Sequence, residues 1–126
     1  MRDDFWLFFD QALDHNWCDY LIDYATENYT PNDAIIGFEN GQQDDSYRKS
    51  EIRWLNPKVE KSLVDEIWYY ANKVNRDSFD LDLKYINEIQ FTKYIGDPNS
   101  PGKYDWHHDV DWVEKRAFHR KLSIVF

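Results

Sequence analysis

The spacing of apolar residues changes from a helical to an extended period partway along this chain. In two segments, about 14–28 and 57–75, the apolar positions recur three and four residues apart, and from Glu88 to Ile95 they alternate. Three- and four-residue spacing indicates amphipathic helices, whereas strict alternation indicates half-buried strands. Helices followed by strands predict an α+β fold.

Two helices are predicted in the first part of the chain. The first runs from about Asp14 to Asn28, with Pro31 just beyond its end. The second starts with Asn56 as N-cap and Pro57 at the first helical position, and it continues to about Asn75. The positions expected to face the core are Cys18, Leu21, Ile22 and Ala25 in the first helix, and Val59, Leu63, Ile67, Ala71 and Val74 in the second.

Strands are predicted around residues 34–38, 50–55, 88–95, 103–109 and 120–126, with a loop over 96–102. In the second of these, Ile52 and Trp54 alternate with Glu51 and Arg53, so Ile52 and Trp54 are expected to face inward. The last strand, "RKLSIVF", would leave an apolar edge uncovered. We therefore expect a sheet that further polypeptide completes.

Composition limits the classes of function. A length of 126 residues predicts a single domain over 1–126. The formal net charge of −9 argues against binding nucleic acid or anionic membranes, which requires clustered Lys and Arg. The lone Cys18 is interpreted as a core residue that cannot form an internal disulfide, and the N-terminus "MRDDFWLFFD" is acidic where a signal peptide is basic. A cytoplasmic, soluble protein is expected.

The stretch "KYDWHHDVDW", Lys103 to Trp112, concentrates histidine, aspartate and tryptophan. In a strand, His107 and Asp109 point to one face and His108 to the other. Two such donors and a third ligand form the two-histidine, one-carboxylate arrangement of non-heme Fe(II) oxygenases. His-x-Asp alone also fits a solvated strand end. A calcium loop is disfavoured by the missing glycine and glutamate, and a zinc hydrolase using His107, His108 or His119 by the missing HExxH or Cys/His spacing.

Neighbouring residues extend this pattern over most of the chain. "QFTKYIGDPNSPGKYDWHHDVDW", "RKLSIVF" and the upstream "YRKSEIRWL" together resemble the Fe(II)/2-oxoglutarate-dependent dioxygenases. The likeness is to the prolyl-4-hydroxylase-like branch, which has many bacterial and phage members. The loop "YIGDPNSPGKY" is longer than is common in that branch. The matching positions are Gln90, Tyr94, Gly96, Tyr104, Trp106, His107, Asp109, Arg120 to Ser123, and the segment Tyr47 to Leu55.

The resemblance implies a double-stranded β-helix, or jelly roll, that binds Fe(II) and 2-oxoglutarate. His107 and Asp109 would be two of the three iron ligands, and Tyr94 and Tyr104 candidate partners of 2-oxoglutarate. Trp106 is expected in the core. Arg120 and Lys121 are interpreted as charges at a sheet edge.

In the family, a third histidine ligand and a cation for 2-oxoglutarate come at positions that would follow Phe126. The expected architecture is therefore a truncated jelly roll, with helical support over about 1–80 and the first strands over about 81–126, the second half being absent. The expected activity is hydroxylation of a peptidyl, prolyl-like, or small-molecule C–H bond, with catalysis by these residues alone in doubt. The alternative is a non-catalytic remnant that acts as a binding or assembly module, self-associating or completing a sheet through residues 120–126.

Overall fold

The computed structural model describes residues 6–33, 43–109 and 119–126. They form an α+β fold of two α-helices and short antiparallel strands, so the predicted fold class is confirmed at that level. The helices are α1 (His15–Asn28) and α2 (Lys61–Val74), the latter followed by a π-helical turn (Asn75–Phe79). The strands are β1 (Asn32–Asp33), β2 (Arg48–Lys49), β3 (Glu51–Leu55), β4 (Ile89–Lys93) and β5 (Lys103–Tyr104).

Helix α1 begins where the sequence predicts it. The Asp14 carboxylate caps it, because Oδ1 accepts hydrogen bonds from the main-chain N–H of Asn16 at 2.8 Å and Trp17 at 3.4 Å. Ala25 on the predicted stripe is completely buried, but Ile22 is 49% exposed. The helix is confirmed, and the inward position of Ile22 is wrong.

Helix α2 begins later than the sequence predicts. Residues after β3 make a turn, in which the N–H of Lys61 donates to the carbonyl of Val59 at 2.9 Å, and the helix has Glu60 at its N-cap. The start at Asn56 and Pro57 is therefore wrong, and Val59 is 64% exposed instead of buried. Within the described chain, no helix has the length and apolar character needed to cross a membrane.

The residues after α2 turn sharply. The Asn75 carboxamide bonds the main chain of Leu81 twice, donating to its carbonyl and accepting from its N–H, each at 2.8 Å. Between them, Asp80 adopts a left-handed conformation with φ of 52°. An aspartate tolerates that conformation better than most residues. The side chain of Asn75 thus fixes the end of the helical segment.

A three-stranded sheet in the order β1-β3-β4 forms around β3. Its register opposes Arg53 to Phe91 and Ile52 to Thr92. Ile52, Leu55 and Ile89 are buried apolar residues of this sheet. Strand β3 is therefore confirmed, but the prediction of which of its side chains face inward is wrong in part.

In β3 a buried arginine stands beside an exposed tryptophan. Trp54 is 46% exposed, whereas Arg53 is only 6% exposed. The Arg53 guanidinium bonds the Glu51 carboxylate and donates to the carbonyl of Tyr29 at 3.0 Å. These partners offset the cost of burying the charged Arg53 side chain.

A second sheet pairs β2 with β5, Arg48 opposite Tyr104 and Lys49 opposite Lys103. The strand predicted over 103–109 is therefore only its first two residues. Residues 120–126 are described and are not a strand, so that prediction is wrong. The strand predicted at 34–38 lies outside the described residues.

The contacts of the chain divide it into two compact units. The α2 unit has the described residues up to Ala12, then Pro57–Asn87, and those from His107 onward. The sheet unit has Leu13–Asn56 and Glu88–Trp106, apart from the residues not described. The single domain over 1–126 stays a prediction.

Candidate functional site

The side chains of His107 and Asp109 face each other in the α2 unit. Nε2 of His107 lies 3.3 Å from Oδ1 of Asp109, and the two side chains are 30% and 46% exposed. The imidazole and the carboxylate thus meet at a position that solvent reaches. The sequence predicted this juxtaposition.

The reason for the juxtaposition differs from the one expected. The segment leaves β5 after Tyr104, so the alternation of a regular strand does not orient His107 and Asp109. On the C-terminal side, Nη1 of Arg120 donates to the carbonyl of Asp109 at 2.9 Å. This contact holds the main chain that carries the carboxylate.

Main-chain contacts also fix the residues just before His107, inside the sheet unit. The hydroxyl of Tyr47 donates to the carbonyl of Trp106 at 2.6 Å, and the carbonyl of Tyr47 accepts from the N–H of Asp105 at 2.9 Å. The Trp106 side chain is 95% exposed, so its predicted place in the core is wrong. Anchoring of residue 106 comes from its carbonyl, not from its indole.

The pair has the donor types and separation of two ligands on one metal ion. Bonds of roughly 2.0–2.2 Å at a right angle place two donor atoms about 3 Å apart. The observed 3.3 Å is close to this value. Among residues 6–33, 43–109 and 119–126, no group of three histidine, cysteine or acidic side chains could hold a metal. The pair therefore fits two coordination positions, and a third donor is not among the described residues.

The other candidate ligands do not extend the pair. Among the described residues, neither His108 nor His119 joins the pair in a group of three side chains that could hold a metal ion. The Asp105 carboxylate accepts a hydrogen bond from the N–H of Trp106 at 2.9 Å, which uses it to shape the turn. Nothing in the described chain thus adds support to the calcium or zinc alternatives.

Tyr94 and Tyr104 lie in the sheet unit. Tyr94 follows the end of β4 and is 47% exposed. Tyr104 ends β5 and is partly covered, with Tyr47 packed edge-on at 5.9 Å between ring centroids and the Arg48 guanidinium carbon 4.3 Å from its ring centroid. Tyr94 is thus the more accessible of the two for a ligand.

Two arginines have roles that the sequence did not predict. Arg120 holds the main chain of Asp109 and is not a charge at a sheet edge, since no strand forms there. Arg48 is 7% exposed and donates from Nη2 to the Oε1 of Gln90 at 2.8 Å. The segment "YRKSEIRWL" pointed to this region without assigning a role to Arg48.

The turn before Arg48 contains a carboxylate, that of Asp44, whose pKa is shifted. The pKa of Asp44 is held below its usual 3.8, first because the Ser46 hydroxyl donates to the carboxylate and then because the Ser46 N–H does so at 2.9 Å. The N–H of Arg48 donates to the carbonyl of Asp44 at 2.8 Å. Asp44 therefore shapes the turn that leads into β2.

Comparison of the chain with protein-family models, with curated protein sequences and with solved structures finds no match.

Proposed function

We propose that this protein is an Fe(II)- and 2-oxoglutarate-dependent dioxygenase that hydroxylates a C–H bond of a peptidyl, prolyl-like, or small-molecule substrate. The observation that carries the proposal is the approach of His107 Nε2 to Asp109 Oδ1 at 3.3 Å. Two imidazoles and one carboxylate are the donor set of such centres, and this pair would supply one of each. The sequence resemblance supplies the reaction class.

In this proposal His107 and Asp109 hold the ion in two adjacent positions, and Arg120 keeps Asp109 in place through its carbonyl. Ferrous iron with 2-oxoglutarate, when bound, supplies the oxidative chemistry that inserts oxygen into a C–H bond. Tyr94 would donate a hydrogen bond to 2-oxoglutarate. Tyr104 is the second candidate for that role, although Tyr47 and Arg48 already cover part of its ring.

The proposal also includes the finer fold and the location. The antiparallel pairs β3–β4 and β2–β5 would belong to a double-stranded β-helix. A cytoplasmic location is proposed because the lone Cys18 cannot form an internal disulfide.

Metal binding tests the centre directly. We would titrate the metal-free chain with Mn(II) or Co(II) by calorimetry, comparing wild type with His107→Ala and Asp109→Ala. Loss of one of two protein ligands should lower the affinity about tenfold or more. His108→Ala, an exposed neighbour of the same type, should bind as wild type does. Equal affinity in all four proteins would remove the pair from any metal centre.

Turnover tests the reaction. Succinate release from 2-oxoglutarate in the presence of Fe(II) should depend on Asp109. Equal rates in wild type and Asp109→Ala would contradict the proposed role of the pair even if the metal binds.

A second candidate function is supported by the apolar residues Ile124, Val125 and Phe126, which are 42%, 95% and 57% exposed. On this view the chain is a non-catalytic module that associates through residues 120–126, by self-association or by completing a partner's sheet. Val125→Asp should then reduce association measured by sedimentation, whereas Val59→Asp, the same change at an exposed valine outside this segment, should not. A wild-type protein that stays monomeric at high concentration would contradict self-association.

A further inference from the structure

Two arginines of the sheet unit are more than nine-tenths buried, and their surroundings differ. Arg53, 6% exposed, bonds the carboxylate of Glu51. Arg48, 7% exposed, donates from Nε to the Ser50 hydroxyl at 3.2 Å and from Nη2 to the Gln90 carboxamide at 2.8 Å. Both of these acceptors are neutral. Within residues 6–33, 43–109 and 119–126, no carboxylate forms an ion pair with Arg48.

A buried guanidinium without an opposite charge is energetically costly. The ring of Tyr104, with its centroid 4.3 Å from the guanidinium carbon, offsets part of that cost by a cation–π contact. The ring covers one face of the guanidinium and leaves its edge for hydrogen bonds. Of the five N–H donors that an arginine has, two donate to described side chains, those of Ser50 and Gln90.

The cluster formed by Arg48, Ser50 and Gln90 reaches solvent at Gln90. The Gln90 side chain is exposed, and its Oε1 accepts from Arg48 and, at 3.2 Å, from the Thr92 hydroxyl. The amide nitrogen on the same carboxamide is therefore a further donor beside the guanidinium. The cluster offers several N–H groups and one positive charge next to solvent.

We propose that Arg48 and Gln90 form a binding site for a single carboxylate group. The planar fork of a guanidinium matches a carboxylate in shape and supplies two parallel hydrogen bonds. One cation neutralises one carboxylate, whereas a polyanion would meet a chain of net charge −9. The carboxylate comes either from a free small acid or from an acidic side chain of a peptide.

The proposed carboxylate site consists of residues of the sheet unit alone and includes neither His107 nor Asp109, so its test uses no metal. We would titrate isotopically labelled wild type with succinate, with 2-oxoglutarate, and with an end-blocked peptide containing one aspartate, following the Nε–Hε resonance of Arg48. A saturable shift of this resonance with the small acids, or with the peptide but not with its asparagine counterpart, identifies the source of the carboxylate. Loss of the hydrogen bonds to a charged group should weaken binding about tenfold or more in Arg48→Gln.

Two further variants make the result decisive. Gln90→Ala changes an exposed residue, so it should fold normally and bind several-fold more weakly than wild type. Lys49→Gln removes the same charge one residue away and should bind as wild type does. If Arg48→Gln does not fold, the titrations of wild type and Gln90→Ala still test the proposed carboxylate site. The site is overturned by a folded wild type that shows no saturable shift with any of the three ligands, or by Gln90→Ala binding as tightly as wild type.

Discussion

Nη1 of Arg120 lies 2.9 Å from the carbonyl oxygen of Asp109, and the carboxylate of the same aspartate lies 3.3 Å from His107. One residue thus has its main chain held by a cation and its side chain directed at an imidazole. Residues that restrain a ligand in this way affect metal affinity without touching the ion. The position of Arg120 makes it a positioning residue of the proposed centre.

Replacing Arg120 with Gln should lower the affinity for Mn(II) or Co(II), because Asp109 loses the contact that restrains its main chain. We expect a decrease of about tenfold, the lower end of the effect of second-layer partners. Calorimetric titration of the metal-free chain measures it. Arg120→Lys should recover part of the affinity, since an ammonium group still donates to a carbonyl.

The matched control is Lys121→Gln, which removes the same charge from the next residue, itself exposed. A long-range effect of charge on the ion would change both variants equally. Equal losses in Arg120→Gln and Lys121→Gln would therefore count against a positioning role for Arg120.

Gly102 cannot accept a side chain without movement of the main chain. A Cβ atom there would lie 2.7 Å from the nitrogen of Ile95 and 3.1 Å from the Cα of Tyr94. The N–H of Gly102 also donates to the carbonyl of Ile95 at 2.7 Å, which closes the loop before β5. Gly102→Ala should lower the free energy of unfolding by about 1–3 kcal/mol, measured by urea denaturation.

Gly96 in the same loop is the control, because a Cβ there meets nothing within 4 Å. Gly96→Ala should leave stability unchanged or raise it slightly, since the substitution restricts the unfolded chain. A comparable loss in both variants would show that the glycines act through local flexibility and not through the close approach to Ile95.

The sequence predicted features that depend on neighbouring residues better than features that depend on residues distant in the chain. Helix α1 was predicted correctly because its cap at Asp14 and its apolar spacing are local properties. Residues 103–109 were predicted as one strand, yet pairing ends at Tyr104 because β2, its partner, is only Arg48–Lys49. The length of a strand depends on its partner, and alternation does not reveal that partner.

The site shows the same distinction. His107 and Asp109 were predicted to meet from a spacing that a strand would impose, and they do meet although the segment is not a strand. Within the sheet unit Tyr47 bonds the carbonyl of Trp106, and within the α2 unit Arg120 bonds the carbonyl of Asp109. No local pattern identifies such contacts, which is why Arg120 was interpreted as a charge at a sheet edge.

Leu55 and Trp54 separate the observed core from the expected one. Leu55 is 3% exposed and Trp54 is 46% exposed. Leu55→Ala should cost about 2–5 kcal/mol of the free energy of unfolding, because it removes buried methyl groups and leaves a cavity. Trp54→Ala should cost under about 1 kcal/mol, as expected for a side chain that stays half in water. Urea denaturation measures both losses of stability. A larger loss in Trp54→Ala than in Leu55→Ala would support the inward-facing tryptophan that the alternation predicted.

Asp44 makes the turn before Arg48 sensitive to acid. The Ser46 hydroxyl and then its N–H hold the pKa of Asp44 below 3.8, so the ionised form stabilises the folded state. That contribution is fully present above the unfolded value and disappears as the pH falls through the lower, folded pKa. Ser46→Ala removes the largest cause, and the pKa of Asp44, followed by carboxyl NMR titration, should rise towards 3.8.

Salt and a second serine test the cause. The charge of Lys103 is the smallest of the contributions, so high salt should change the pKa of Asp44 little. Ser62→Ala, an exposed serine of α2, should not change it. If salt raises the pKa of Asp44 as much as Ser46→Ala does, the attraction of nearby cations contributes as much as the Ser46 hydroxyl, and the hydrogen bond is not the main cause of the low pKa.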